Sequence, residues 1–188
     1  LEQDDQLADE RIRRLRLIVD AFAAEGITSV HENCMNYGGM SWKHTMELIE
    51  AVPGMKLVFD TCNPVFNRDH SQEDKPWQDA WEFYQNVKEH ISYIHVKDGL
   101  NPSPENGNKE VYTYPGEGQG CVKEIMQDLK ESGYEGGISI EPHLAAVFHD
   151  ADSQNHTDED PKDIYIRFGQ KLMEILSSIG YEHSPYQP

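Results

Sequence analysis

The stretch ISYIHVKDG, residues 91–99, decides the fold. Residues 91–96 are rich in β-branched and aromatic side chains, and the polar turn residues that follow end the run. This pattern predicts a buried strand followed by a loop. His95 lies at the C-terminal end of the strand, which is where parallel α/β proteins carry their functional groups. The stretch therefore predicts a parallel α/β domain with His95 at its functional end.

Three further apolar stretches are each followed by a side chain that binds metals. The stretches and their ligands are 27–31 with Glu32, 55–59 with Asp60, and 137–140 with Glu141. Because the C-terminal ends of parallel strands meet at one edge of a sheet, we expect these three carboxylates and His95 to surround one divalent ion. Oxygen ligands with one nitrogen favour Mn²⁺, Mg²⁺ or Co²⁺, with Zn²⁺ as an alternative.

Helices are predicted between the strands by their apolar spacing and by their stop signals. Their ranges are 7–25, 41–52, 76–90, 121–132 and 163–179. Strict alternation with continuously apolar strands predicts an α/β fold with a parallel sheet covered by helices. Four βα units are half of a (β/α)8 TIM barrel, which needs about 250 residues. We expect one domain over residues 1–188 with a loose tail at 180–188.

Composition limits the possible partners and compartments. The formal net charge is −18, which disfavours a nucleic-acid partner, and no apolar run approaches the ~20 residues of a membrane span. The cysteines are Cys34, Cys62 and Cys121; an odd number without a CxxC pair favours reduced thiols and a cytoplasmic location. The chain begins without Met, and half a barrel would leave open strand edges, so we expect either a homo-oligomer or a barrel whose N-terminal half is missing here.

Five short motifs together resemble the sugar phosphate isomerase/epimerase superfamily of xylose isomerase-like barrels. In order they are Glu32-Asn33, Asp60-x-x-Asn63, His95-Val96-Lys97-Asp98, Gly116-Glu117-Gly118 and Ile140-Glu141-Pro142-His143. The resemblance covers nearly the whole chain and matches the C-terminal half of that barrel, strands five to eight. The superfamily includes ketose 3-epimerases, inosose isomerases and dehydratases, and endonuclease IV.

The resemblance implies a metal-dependent isomerase or epimerase of carbohydrate metabolism (EC 5 class). Residues at the positions of Glu32, Asp60, His95 and Glu141 bind one metal in that family. The two glutamates flank the substrate and, in the epimerases, exchange the proton next to its carbonyl through an enediolate. The implied substrate is a sugar, keto-sugar or polyol. Further candidate substrate contacts are Asn63, Lys97, Glu117 and His143.

Several of these side chains admit a second interpretation. Lys97 either neutralises charge at the site or, the preferred interpretation, forms a salt bridge with Asp98 or Glu117. His31 precedes Glu32 and should point to the opposite side of its strand, so we expect it to be packed. Loops 61–75 and 98–120 are candidate lids; the apolar cover would come from Phe66, Tyr112 and Tyr114.

Two departures from the ketose epimerase pattern keep other functions open. Asn63 stands where those enzymes commonly have a substrate-binding His, and Asn101 stands where they have an Arg. The alternatives are a keto-polyol dehydratase or lyase on the same scaffold and an inactive half-barrel binding module. An endonuclease-like cluster of three metals would draw on further histidines, and the acidic charge argues against it. Those histidines are His31, His70, His143 and His149.

Overall fold

A computed structural model describes residues 8–144 and 160–182 of the chain. His149 and residues 183–188 of the predicted tail lie outside the described residues. The helices are α1 (Ala8–Ala24), α2 (Trp42–Ala51), α3 (Asn63–Phe66), α4 (Ala80–Val87), α5 (Val122–Glu131) and α6 (Pro161–Ser178). The strands are β1 (Val30–Glu32), β2 (Lys56–Asp60), β3 (Ile91–Val96), β4 (Asp98–Leu100), β5 (Val111–Thr113) and β6 (Gly137–Ile140).

Four strands form a parallel sheet in the order β1-β2-β3-β6, with helices between them along the chain. This confirms the α/β fold with the βα order predicted from the sequence. In the register of the sheet, Asp60 lies beside His95, and His95 lies beside Ser139. The C-terminal ends of these strands therefore meet at one edge. Within the described residues, no helix is both long enough and apolar enough to cross a bilayer.

The main core lies between the sheet and the helices that follow its strands. Its apolar side chains leave water, and this burial stabilises the fold. Strand residues Leu57, Phe59, Ile94 and Val96 pack with helix residues that include Phe83, Tyr84, Ile125, Met126 and Phe168. The apolar stripes of α4, α5 and α6 thus face the sheet, and the strand ends are held at fixed separations.

Among residues 8–144 and 160–182, the two outer strands, β1 and β6, each pair with one neighbour. The predicted strand 27–31 is shorter in the structure, where β1 covers Val30–Glu32 and the preceding residues add one bond, from Lys56 N to Ser29 O. Ile27 and Val30 remain about half exposed, at 52% and 50%. This outer flank of the sheet therefore presents apolar surface to solvent.

The predicted loops contain ordered structure that the sequence pattern did not indicate. The loop after Asp60 begins with the short helix α3, and the loop after β3 contains the antiparallel hairpin β4–β5. Helix α4 begins at Ala80, later than predicted, because the Asp79 side chain accepts the backbone N–H of Glu82 and caps the helix there. Both loops lie at the strand ends that carry the candidate ligands.

Candidate metal centre

Glu32, Asp60, His95 and Glu141 come together at the C-terminal edge of the sheet. Each offers one ligand atom, and these atoms all lie within 4.8 Å of one another. The parallel register places Asp60 beside His95. The backbone N–H of Glu141 donates to Val96 O at 3.0 Å, so the hydrogen bonding between β3 and β6 continues as far as Glu141. The arrangement follows from the strand pairing, because each ligand lies at or directly after the C-terminal end of one of four adjacent strands.

Asp60 is the deepest of the four and is fully buried. Its Oδ1 accepts the backbone N–H groups of Cys62 and Asn63 at 2.8 and 2.7 Å. Its Oδ2 lies 3.0 Å from Lys97 Nζ. Burial raises the pKa of Asp60, and the Lys97 ammonium opposes that shift. The backbone thus fixes one oxygen and leaves the other facing the cluster.

Glu32 is positioned by two asparagines. Asn63 Nδ2 donates to Glu32 Oε1 at 3.0 Å, which places this predicted substrate contact beside a ligand. Asn33 exchanges two hydrogen bonds with the backbone of Asp60, one to its N–H at 2.7 Å and one to its O at 3.1 Å. The nearby His95 imidazole lowers the pKa of Glu32. The sequence interpretation gave Asn33 no role; its position directly after Glu32 was the available signal.

Glu141 lies between two imidazoles and an ammonium group. Its Oε2 is 3.1 Å from His95 Nδ1, and its Oε1 is 3.1 Å from His143 Nε2 and 3.7 Å from Lys97 Nζ. Burial alone would raise the pKa of Glu141, but the contacts with His143 and His95 hold it well below its ordinary value. The Glu141 and Glu32 carboxylates in turn raise the pKa of His95 to about 10.

Lys97 belongs to the cluster, so the preferred sequence interpretation of this residue was wrong. It pairs with Asp60 and Glu141 instead of Asp98 or Glu117. The Asp98 oxygens accept backbone N–H groups, and Glu117 lies 3.4 Å from Lys171 of α6. Glu117, predicted as a substrate contact, is therefore directed outward and makes none of the described contacts with the ligand cluster.

Aromatic side chains cover one side of the cluster. The Tyr112 ring centroid lies 5.1 Å from that of His143 and 5.0 Å from that of Phe66, both edge to face. Tyr114, predicted as part of the same cover, packs instead against Phe168 of α6 at 6.2 Å. His143 itself is 5% exposed. The predicted candidate His143 thus lies between the aromatic cover and Glu141.

His31 lies on the other side of β1 from Glu32. It packs so closely on Gly38 that a Cβ there would come within 2.5 Å of the imidazole. Burial lowers the pKa of His31. This placement fits the packed role expected from strand alternation and not that of a ligand.

The residues present fit a divalent cation. Asp60 Oδ2, His95 Nδ1 and Glu141 Oε2 are buried, and none of them makes a hydrogen bond of good geometry with another described residue, although Oδ2 lies 3.0 Å from Lys97 Nζ and the other two atoms lie 3.1 Å apart. Buried polar atoms without hydrogen bonds are costly, and a cation among them would satisfy all three at once. With His95 neutral, as a metal ligand must be, the three carboxylates and the Lys97 ammonium leave an excess of two negative charges, which a divalent ion would balance. The mostly oxygen donor set is that of Mg²⁺ or Mn²⁺ sites.

A profile of the xylose isomerase-like TIM barrel family matches residues 2–165. The chain therefore belongs to that family, in agreement with the resemblance found in the sequence. No curated protein matches the chain.

Solved structures share the fold over most of the chain. A xylose isomerase-like TIM barrel protein from Mycobacterium smegmatis in complex with magnesium has 19% identity and a TM-score of 0.65, covering 94% of this chain and 52% of its own. A probable 3-DHS dehydratase from Bacillus anthracis has 19% identity and a TM-score of 0.60, covering 93% and 58%. A D-psicose 3-epimerase from Clostridium cellulolyticum H10 has 15% identity and a TM-score of 0.58, covering 92% and 56%. The chain spans about half the length of these structures, as expected for half a barrel.

Proposed function

We propose that the chain carries the metal centre and the proton-transfer groups of a divalent-metal-dependent isomerase or epimerase of EC 5 class. The supporting observation is the convergence of Glu32, Asp60, His95 and Glu141 within 4.8 Å. The proposed ion is Mn²⁺, Mg²⁺ or Co²⁺, with Zn²⁺ as the alternative. The proposed substrate is a sugar, keto-sugar or polyol, because a carbonyl with an adjacent C–H is what paired carboxylates and a Lewis acid can act on.

Accessibility separates the roles of the three carboxylates. The Asp60 side chain is fully buried, whereas the side chains of Glu32 and Glu141 are 32% and 31% exposed. Asp60 cannot reach a substrate, so we assign it to the metal alone. Glu32 and Glu141 lie on the two outer strands of the sheet order, so they approach a bound molecule from two sides. We assign the removal and return of the proton to these two glutamates.

The surrounding residues hold both glutamates in place. Asn63 binds Oε1 of Glu32, and His143 binds Oε1 of Glu141, so in each case Oε2 is the oxygen left for the cluster. Lys97 offsets part of the negative charge that three carboxylates bring together. A bound divalent ion would polarise the substrate carbonyl and so acidify the neighbouring C–H. The proton transfers themselves need only Glu32 and Glu141.

A keto-polyol dehydratase or lyase is the second candidate function. Asn63 and Asn101 depart from the ketose epimerase pattern, and Asn63 contacts Glu32 directly. Removal of the same acidic proton by one glutamate, followed by loss of a neighbouring hydroxyl group as water with a proton from the other, would use the same two glutamates. An inactive half-barrel binding module is the third candidate, and it would keep the metal without turnover.

Completion of the barrel is part of the proposal. In the part of the chain that the structure describes, β1 and β6 each have one unpaired edge, and apolar residues such as Ile27 and Val30 are exposed beside β1. We propose that these flanks are covered by the N-terminal half of a barrel or by a second copy of the chain. Size-exclusion chromatography of the chain alone and with an N-terminal half separates the two cases. The free thiols Cys34, Cys62 and Cys121 fit the proposed cytoplasmic location.

The first experiment measures Mn²⁺ binding to the chain by calorimetry. We expect Glu141→Gln to weaken binding by at least about tenfold, because a charged ligand becomes neutral. Glu131→Gln is the matched control, since Glu131 is an exposed residue of α5. Equal affinities for the wild type and Glu141→Gln would contradict the metal proposal.

The second experiment tests turnover on the completed barrel with ketoses and inososes in D₂O. An epimerase or isomerase incorporates deuterium at the carbon next to the carbonyl, whereas a dehydratase releases a product lighter by one water. Unchanged activity of Glu141→Gln would exclude the proton-transfer mechanism. Metal binding without any turnover would favour the binding module over both enzymes.

A further inference from the structure

Asp98 is a buried carboxylate whose hydrogen bonds with the described residues come from the backbone. It is 1% exposed and lies directly after Lys97 in the chain. Its Oδ1 accepts the N–H groups of Gly99 at 2.9 Å and Gly120 at 2.8 Å, and its Oδ2 accepts those of Gly116 at 2.8 Å and Gly118 at 3.0 Å. We call this arrangement the Asp98 clamp.

The clamp requires glycine where the loop meets Asp98. A Cβ at Gly118 would lie 2.3 Å from Asp98 Oδ1 and 2.5 Å from Gly99 N. A Cβ at Gly120 would lie 2.9 Å from the same carboxylate oxygen. Since real Cβ atoms do not approach this closely, the backbone reaches Asp98 only because these side chains are absent. The glycine-rich segment 116–120 is therefore built around the carboxylate.

The Asp98 clamp holds the two ends of segment 98–120 together. This segment includes Tyr112, which is part of the aromatic cover of the candidate metal centre. Strand β4 begins at Asp98 and pairs with β5, and in this register Gly99 lies opposite Tyr112. Residues 116–120 follow β5 and return to Asp98, so both ends of the hairpin are tied to one side chain. The hairpin is thereby fixed to the end of β3.

The fixed hairpin reaches Glu141 through two contacts. The Tyr112 ring packs edge to face on His143, with centroids 5.1 Å apart. His143 Nε2 in turn lies 3.1 Å from Glu141 Oε1. Phe66 supports Tyr112 from the other side at 5.0 Å. A displacement of the hairpin would thus remove the Tyr112 ring from the imidazole that contacts Glu141.

We propose that Asp98 is a positioning residue, which holds the β4–β5 hairpin so that Tyr112 keeps His143 against Glu141. It touches neither metal nor substrate. Loop 98–120 is then a preformed wall of the site and not a swinging lid. The expected effect on metal affinity rests on the proposed metal function. The geometry of His143 does not, because it can be measured without metal.

The test compares two variants that break the clamp in different ways. Asp98→Asn replaces an oxygen by an NH₂ group that faces N–H donors, and Gly118→Ala inserts a Cβ without changing any charge. In both, we expect amide exchange at Gly116 and Gly120 to accelerate by at least tenfold. We expect the ring proton signals of His143 to shift in the metal-free chain, and Mn²⁺ to bind about tenfold more weakly, as for other residues that support metal ligands.

Matched controls separate positioning from general loss of stability. Asp69→Asn removes another buried carboxylate, which accepts from Ser71 and Gln72 in a different loop. Gly169→Ala adds a Cβ in α6 whose nearest neighbour is 3.7 Å away. Both should leave the His143 signals and the Mn²⁺ affinity unchanged.

Each result decides for or against the positioning role. Faster amide exchange with unchanged His143 signals would overturn the proposal, and so would unchanged amide exchange in Asp98→Asn. If Asp98→Asn does not fold, Gly118→Ala carries the same test. A wild-type chain that binds no Mn²⁺ would overturn the proposed metal function, and the His143 signals would then decide this inference alone.

Discussion

Asp60 and Asp98 are two buried aspartates at the ends of neighbouring segments, but their surroundings differ. Both oxygens of Asp98 accept backbone N–H groups, two on each oxygen. In Asp60 the backbone binds Oδ1 only, and Oδ2 faces Lys97 without a hydrogen bond of good geometry. A carboxylate whose oxygens both accept backbone hydrogen bonds stabilises the fold. A carboxylate with one oxygen that the backbone does not bind, next to other such groups, is available to bind a ligand.

Breaking the pair at Asp60 should have the largest effect on stability. Lys97→Met leaves Asp60 as a buried carboxylate without its cation, which typically costs about 3–5 kcal/mol. Urea denaturation in the presence of EDTA measures this loss. Asp60→Asn combined with Lys97→Met should recover part of it, because no buried charge is then left without its partner. A loss within the error of the measurement would mean that the pair is not needed to keep Asp60 buried.

Metal addition should have the next largest effect on stability. We expect the ion to bind at the cluster that contains Asp60 and not at Asp98. A ligand that binds only the folded chain stabilises it by about 2.7 kcal/mol at one hundred times its dissociation constant. Mn²⁺ should therefore raise the midpoint of thermal unfolding of the wild type more than that of Glu141→Gln, because the same Mn²⁺ concentration is at most about ten times the dissociation constant of the variant and stabilises it by at most about 1.4 kcal/mol. A rise of the same size in both would place the bound ion elsewhere.

The third prediction concerns Asp128, a partly buried aspartate whose carboxylate accepts hydrogen bonds from side chains. It accepts from Tyr84 Oη at 2.7 Å and from Lys88 Nζ at 3.0 Å, which ties α5 to α4. Burial alone would raise the pKa of Asp128, but the contacts with Tyr84 and Lys88 hold it below its ordinary value. We expect Asp128→Asn to cost about 1–2 kcal/mol near neutral pH.

The pH dependence of that loss has a definite sign. Because the folded pKa of Asp128 is lowered, its stabilisation is present above the pKa of the unfolded chain. It disappears as the pH falls through the folded pKa. Denaturation curves of the wild type and Asp128→Asn should therefore converge in acid, and a constant difference at all pH values would contradict this account.

The smallest effect should come from the exposed carboxylate Glu10. It pairs with Arg13 at 2.7 Å and with Arg14 at 2.8 Å on the surface of α1. Exposed ion pairs are screened by water and salt, so Arg13→Gln should leave the midpoint of thermal unfolding unchanged within error. A clear decrease would show that α1 is more tightly coupled to the sheet than its exposure suggests.

The sequence predicted the parts of this molecule that depend on local pattern. Continuous apolar runs marked the four parallel strands, and their C-terminal ends marked His95 within its run and Glu32, Asp60 and Glu141 directly after theirs. The hairpin β4–β5 was missed because its strands have three residues each and no periodicity.

Contacts between distant segments could not be predicted in the same way. The pairing of Lys97 with Asp60 depends on the parallel register of β2 and β3, which no spacing within either strand reveals. Glu117 lies in a motif that matches the family, yet its side chain follows the turn held by Asp98 and points to Lys171. The residue types indicated the chemistry, and the tertiary contacts decided which of them take part.

The open edges of the four-stranded sheet have a consequence for self-association. β1 and β6 lie at opposite ends of the strand order, and apolar residues flank β1 at Ile27 and Val30 and project from α6 at Tyr165 and Ile166. A contact between one copy's β6 edge and another's β1 edge joins two different surfaces. Such head-to-tail contacts end in a ring only when the rotation between copies closes it, and otherwise they continue into a filament. The angle between successive half barrels would therefore decide between a soluble ring and a fibre.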